Sequence, residues 1–367
     1  MWRLEARPEP SRAMLLATPV LAVALTLLLG AALFAALGKD PVAALRIIFL
    51  DPLLDPYARS ELLVKGAPLV LIALGLSLGF RAGVWNIGAE GQFIMGAVAS
   101  GAVALAFYDV PGLWLLPLMA LAGLLAGAAW GLIPAFLKIR FNANEILVSL
   151  MLVYVAEQFL IAMVSGPLRD PQGFNFPLSR LFHDSALLPV LIEFTRVHAG
   201  VLVTLVLVGL FWALMRWHVL GFSIRLMGEA PRAAAFAGVR PNRIVAISLG
   251  ASGALAGLAG MFEVAGPAGQ LAPALPVGYG FTAIIVAFLG RLNPLGVLLA
   301  GGVMALTYVG GEGAQFGLGV PAAANEVFRG MLLFSLLALN ILVSFRLVRP
   351  ARVAAPAPRP DPDPQEA

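Results

Sequence analysis

Apolar residues run along this chain in long blocks, not in alternation. The blocks lie at 13–37, 61–79, 86–108, 113–137, 144–165, 199–217, 244–263, 277–290, 295–311 and 325–345, and Gly and Pro punctuate many of their ends. A helix needs about 20 apolar residues to cross the hydrocarbon of a bilayer, so most blocks are long enough to span. The pattern predicts an all-α, polytopic membrane protein of about ten transmembrane helices in one domain. The block at 277–290 is short for a full crossing. The first block follows Arg3, Arg7 and Arg12 and exceeds the apolar core of a cleaved signal, so it reads as a retained first helix.

Composition agrees. Of 367 residues, 60% are apolar and 12% charged, whereas a soluble domain has about a quarter of its residues charged. The chain has no cysteine, which excludes disulfides and thiolate metal sites, and its three histidines (His183, His198 and His218) are scattered, so no metal site is expected. The net charge of +4 gathers in short loops and not on a basic, aromatic-studded surface, which argues against nucleic-acid binding. With the N-terminus inside, sixteen Lys and Arg fall on cytoplasmic pieces and seven on outer ones. That bias places both termini in the cytoplasm and supports an even number of crossings.

The expected organisation is a cytoplasmic N-terminus at 1–12, a membrane domain at 13–345, and a Pro-, Ala- and charge-rich cytoplasmic tail at 346–367 without fixed structure. Two outer segments are substantial. Residues 38–60 hold an apolar stretch, Leu45 to Leu50, which reads as a short interfacial helix. Residues 166–198 carry Pro167, Pro171, Gly173, Pro177 and Pro189 and read as an ordered loop. Gly123, Gly127 and Gly131 lie four apart, as do Gly253 and Gly257, a spacing that lets helices approach closely. Asn86-Ile87-Gly88 opens the third block and Asn293-Pro294-Leu295-Gly296 the ninth, an echo that fits a duplicated transporter fold. Asn144-Glu145 and Asn325-Glu326 also look alike, but on spans of opposite direction, and that match is set down to chance.

Two segments carry candidate chemistry. The first, Phe80 to Phe93, places Asn86, Glu90 and Gln92 with three glycines inside an apolar stretch. A carboxylate near the hydrocarbon costs about 2.5 kcal/mol or more unless paired or wet. Glycine-rich breaks are tolerated there only against protein or a water-lined path. The segment therefore reads as a discontinuous helix lining a pathway or subunit joint; the plainer alternative is a helix cap in which Asn86 and Glu90 satisfy backbone donors. Phe93, Tyr279 and Phe281 are candidates to stack on a substrate, and Asn86, Gln92 and Ser77 to hydrogen-bond it, with core packing as the competing role. The second segment is the cytoplasmic loop 219–243. Pro231 suits a first helical turn, Ala233 to Ala237 propagate it, and Gly238 ends it. The product is a short surface helix with a small-residue face, suited to docking.

At these residues the chain resembles bacterial ATP-binding-cassette importer permeases of the branched-chain amino acid, ribose and nucleoside group. The blocks Asn86-Ile87-Gly88-Ala89-Glu90-Gly91-Gln92 and Gly228-Glu229-x-Pro231-x-Ala233-Ala234-x-x-Ala237-Gly238 are most similar to the nucleoside (basic membrane protein-linked) or simple-sugar branch. Asn144-Glu145-Ile146 and Gly278-Tyr279-Gly280 through Asn293-Pro294 are similar to it too, and the likeness covers roughly 13–345. The resemblance implies a multi-pass permease of the bacterial inner membrane. Gly228, Glu229, Pro231, Arg232, Ala233, Ala234, Ala237 and Gly238 would form a coupling helix seated in a separate ATPase subunit. It also implies a second, related permease chain and an extracytoplasmic substrate-binding protein that meets 38–60 and 166–198. The substrate would be a nucleoside, with a simple sugar next. No catalytic residue and no cofactor in this chain are expected. Independently, a Walker loop needs Gly-Lys followed by Ser or Thr, and Gly38-Lys39 is followed by Asp40, so ATP would be bound by the partner.

Two other classes compete. Gly250-Ala251-Ser252-Gly253 matches the Gly-x-Ser-Gly of rhomboid intramembrane proteases, but no histidine follows His218 to serve as base. Glu157, Glu263 and Glu312 sit in or beside spans, which keeps an ion-coupled secondary transporter as the alternative; they form no chain along one path, and the docking loop would then lack a purpose.

Overall fold

The computed structural model describes residues 3–6, 12–110 and 112–348. The expected disordered tail lies outside the described residues from 349 onward. Its first residues, 346–348, are not disordered. They belong to β2 (Phe345–Val348), which pairs antiparallel with β1 (Arg3–Ala6). This ribbon of two four-residue strands departs from an all-helical fold, and it brings Arg3–Ala6 beside Phe345–Val348.

The apolar blocks become helices: α1 (Arg12–Ala36), α2 (Pro41–Phe49), α3 (Asp51–Leu54), α4 (Pro56–Arg81), α5 (Ala89–Ala106), α6 (Leu115–Phe141), α7 (Glu145–Ser165), α8 (Ala199–Trp217), α9 (Val219–Glu229), α10 (Pro231–Phe236), α11 (Pro241–Glu263), α12 (Tyr279–Leu289), α13 (Pro294–Leu318) and α14 (Ala322–Ser344). Among the described residues, nine helices are long and apolar enough to cross a membrane: α1, α4 to α8, α11, α13 and α14. The tenth expected span is α12, whose 11 residues rise only about 16 Å, half of a hydrocarbon core about 30 Å thick. The third is also shortened: Ala82 to Gly88 is non-helical, and α5 opens only at Ala89.

The core is built on α4, α5, α6 and α11. On α6, Gly123, Gly127 and Gly131 meet Gly253 and Gly257 of α11 so closely that a Cβ on Gly127 would lie 2.1 Å from the Gly253 carbonyl oxygen. The two backbones touch because nothing stands between them. The segment expected as an interfacial helix is α2, and it does not lie free. Asp40 caps it through the Val42 and Ala43 N–H groups. It sits against α13 at Gly310, where a Cβ would be 2.1 Å from the Ile48 carbonyl oxygen. The segment 166–198 is stitched along the bundle: Ser179 N–H donates to Leu271 O (3.0 Å), Phe182 N–H to Gly269 O (2.8 Å) and Leu188 N–H to Ala265 O (2.7 Å).

Candidate functional site at two broken helices

The non-helical stretch Ala82–Gly88 turns back into the fold after α4. Gly83 takes φ 73°, and the Val84 N–H donates to Gly79 O. Backbone freed in this way at membrane depth must be satisfied inside the protein, and Asn86 does much of that. Its Oδ1 accepts the Gly88 N–H (3.0 Å), and its Nδ2 donates to Gln92 Oε1 (2.8 Å) and Ser252 Oγ (2.9 Å). Gln92 Nε2 returns a bond to Asn86 Oδ1 (3.3 Å). Ser149 of α7 accepts the Ile87 N–H (3.2 Å). The serine weighed as a protease nucleophile, Ser252, is thus a partner of Asn86 that fixes the break to α11.

Glu90, in the first turn of α5, reaches the second broken element. Its carboxylate oxygens accept the Gly278 N–H (3.0 Å) and the Gly280 N–H (2.5 Å). Those are free donors at the start of α12, where the helix dipole is positive. A Cβ on Gly280 would fall 2.2 Å from the Glu90 nitrogen, so only glycine admits this approach. Two helix N-termini, each preceded by irregular backbone, therefore meet at one buried carboxylate. Asn293 opens α13 with the same local device as Asn86, accepting the N–H two residues on (Leu295, 3.1 Å).

The expected pathway residues divide. Asn86, Glu90, Gln92, Phe93, Ser77 and Tyr279 are all buried. Ser77 donates to Ala73 O within its own helix. Phe93 packs edge-on against Tyr279. Only Phe281, 39% exposed, opens outward. The break thus carries the capping role that stood as the plainer reading of Asn86 and Glu90.

On the opposite side, the loop 219–243 is nearly all helix. His218 caps α9 through the Leu220 N–H. Pro231 is the first residue of α10, and Gly238, at φ 81°, ends it. Of the expected docking residues, Arg232, Ala233, Ala237 and Gly238 are exposed, but Ala234 is buried against the fold. Sequence reasoning missed Phe236, which stands 94% exposed at the end of α10. It also missed the seat of α9. A Cβ on Gly228 would lie 1.9 Å from the Arg81 carbonyl oxygen, the last of α4, with Arg225 and Glu229 in electrostatic reach of Arg81. Ala82 and Val84 of the break share an apolar cluster with Ile224 of α9. The two segments read separately in the sequence are neighbours. Among the described residues, no group of three or more His, Asp or Glu is placed to hold a metal.

Comparison with known proteins adds a family. The profile of the branched-chain amino acid transport system / permease component matches residues 58–337. A glucose ABC transporter permease protein from Haloferax volcanii is 38% identical over 339 residues, covering 90% of this chain and 89% of the relative. A guanosine ABC transporter permease protein from Bacillus subtilis is 30% identical over 318 residues, covering 85% and 90%. A nucleoside ABC transporter permease protein from Lactococcus lactis is 26% identical over 328 residues, covering 86% and 89%. No solved structure matches the chain.

Proposed function

This chain belongs to the branched-chain amino acid transport system / permease component family, and from that premise we propose that it is the transmembrane subunit of an ATP-driven importer in the cytoplasmic membrane. Its substrate is a small, uncharged, hydroxyl-rich solute. Similarity to the glucose permease at 38% identity exceeds that to the guanosine permease at 30%, which puts a simple sugar ahead of a nucleoside.

The observation that carries the proposal is α10. It is a short helix opened by Pro231, built with small residues and exposed except at Ala234, ending on a bare aromatic. An exposed Phe bordered by small residues is what a partner's pocket takes as an anchor. In this reading α10 docks in an ATPase subunit that binds the ATP, and Gly228, Glu229, Pro231, Arg232, Ala233, Ala237 and Gly238 surround the joint. Closure of the ATPase moves α9, which is seated on the end of α4 and on the break, and alternating access follows. A second permease chain completes the pathway. An extracytoplasmic binding protein delivers substrate to the outer segments, where Phe174 and Phe194 stand exposed. The N–H groups of Ile87, Gly88, Gly278 and Gly280 are taken up by Ser149, Asn86 and Glu90, so in this reading Asn86, Glu90, Gln92 and Tyr279 act by holding the half-helices that border the path, and Phe281 by reaching it.

The ion-coupled alternative is disfavoured because the Glu90 carboxylate is engaged by two N–H donors. The deciding experiment is gentle purification of the tagged protein from its host, mass spectrometry of what accompanies it, and uptake of labelled glucose and guanosine by vesicles with and without internal ATP. An ATPase in the eluate and ATP-dependent uptake support the importer. A chain that purifies alone, with uptake driven by an ion gradient, overturns it.

A further inference from the structure

One transmembrane helix, α7, exposes polar side chains near its middle, whereas the half-buried Lys65 of α4 and Arg329 of α14 are ion-paired with Glu312 and Glu326. On α7, Tyr154 is 57% exposed, Gln158 is exposed and Glu157 is half-buried. They fall at i, i+3 and i+4, so they share one face, and they straddle the middle of a 21-residue helix. The exposed residues of α6 and α8 are apolar through their middles, and Arg216 of α8 lies in its last turn. Along α13 and α14, the exposed acidic residues Glu312 and Glu326 sit toward the helix ends instead. A carboxylate and a carboxamide at mid-bilayer are costly against lipid, which offers no hydrogen-bond partner, and such residues face a bundle interior or a water-filled cavity. Among the described residues, Tyr154 and Gln158 are left exposed and Glu157 is covered only in part.

A second observation places this face beside the breaks. Ser149, on the buried side of α7, holds the Ile87 N–H, and a Cβ on Gly91 would lie 3.0 Å from Val153 Cα, so α7 runs along the first turns of α5 and the face at 154–158 begins where that contact ends. Transporters place substrate beside discontinuous helices near the midplane.

We infer that the Tyr154–Glu157–Gln158 face of α7 lines the translocation pathway and contacts the substrate there. The inference deepens the importer reading and rests on it. The chemistry suits an uncharged polyhydroxyl solute. Glu157 accepts from hydroxyls, Gln158 both donates and accepts, and the Tyr154 ring offers a flat apolar surface to a sugar ring or base. Phe159 and, at the middle of α8, Val206 are exposed as well; Phe159 stands about 100–140° round the helix from Gln158 and Tyr154, and Val206 belongs to the apolar exposed side of α8.

The chain has no cysteine, so single cysteines report cleanly. In membrane vesicles holding the complete complex, Tyr154→Cys, Gln158→Cys, Phe159→Cys and Val206→Cys are each treated with a permanently charged, membrane-impermeant thiosulfonate. Tyr154→Cys and Gln158→Cys should react, and modification should block uptake. Phe159→Cys and Val206→Cys should stay unreacted until the membrane is dissolved. Saturating glucose or guanosine should slow the reaction at 158. Labelling at 158 no faster than at 159 overturns the pathway assignment, and labelling at 158 that neither solute slows overturns the substrate contact. Two positions of each kind keep the comparison valid where one variant folds poorly. Labelling needs no transport, so failure of the importer reading would show separately, as unmodified parent vesicles without ATP-dependent uptake.

Discussion

At the scale of single residues, Glu90 and His198 make the sharpest demands. Glu90 satisfies two donors that the start of α12 leaves open. Glu90→Leu strands both, and an unsatisfied buried donor costs about 1–3 kcal/mol. The expected outcome is a clear fall in thermal stability in detergent. Glu90→Gln, which keeps one acceptor oxygen, should fall in between. If Glu90 instead contacted substrate, uptake would drop with the stability unchanged. His198 is the outer cap of α8, its Nδ1 accepting the Gly200 N–H, and is 2% exposed. Burial lowers its pKa from 6.5 to about 4. The unfolded chain then takes up the proton first as pH falls. Stability from this group is fully present above about pH 6.5 and is lost progressively toward pH 4. His198→Asn, whose carbonyl oxygen can still cap, should flatten the decline in melting temperature across that window. An unchanged slope would assign it to other groups. Nearby, the Glu61 carboxylate holds the Arg196 guanidinium charged, raising its pKa.

At the scale of elements, tight approach decides where substitutions hurt. Gly257 of α11 would place a Cβ 2.1 Å from the Gly123 carbonyl oxygen, and backbone cannot step aside as a flexible side chain does. Gly257→Ala should cost about 1–3 kcal/mol as overpacking, read as a lower melting temperature and reduced membrane yield. Gly209, whose Cβ would meet nothing within 4 Å, should accept alanine without effect. Gly228 tests a connection. Gly228→Ala should lift α9 off Arg81, leaving the ATPase bound and active but lowering uptake per ATP hydrolysed. Coupled transport at the parental rate would show that the contact carries no force. These elements also mark what the sequence discloses. Block length located the spans and glycine spacing marked a close-packing face on each of α6 and α11, because both are local periodicities; that the two faces meet each other is a long-range fact. The half-length of α12 was visible as a short block. That Glu90 would cap it was not, since 188 residues separate the carboxylate from Gly278 and no local pattern encodes which donor a buried acid meets. The polar face of α7 was likewise hidden. Glu157 could be read in the chain, but which side of the helix stays uncovered depends on packing.

At the scale of the whole molecule, the two faces of the bundle are unlike. One holds α9 and α10 against the end of α4, and the other holds α2, α3 and the long segment 166–198. Between them run the two breaks, joined to the first face by the apolar cluster of Ala82, Val84 and Ile224 and to the rest of the core by Asn86 and Glu90. A push on α10 therefore has a continuous packed route to the half-helices, while the segment 166–198 is tied to the bundle along Ser179 to Leu188 and through Arg196 to Glu61 of α4. Phe236 is where such a push would enter. Its ring is exposed and contributes nothing to the core, so Phe236→Asp should leave melting temperature and membrane insertion as in the parent. Losing an aromatic anchor from a desolvated joint, with a carboxylate in its place, should cost 2 kcal/mol or more of binding, about thirtyfold in affinity. The expected reading is a complex that loses its ATPase on purification while its second permease chain remains. Glu229→Arg, on the rim of the same joint, should keep the ATPase bound but reduce uptake. Retention of the ATPase by Phe236→Asp with normal uptake would move the docking joint away from α10.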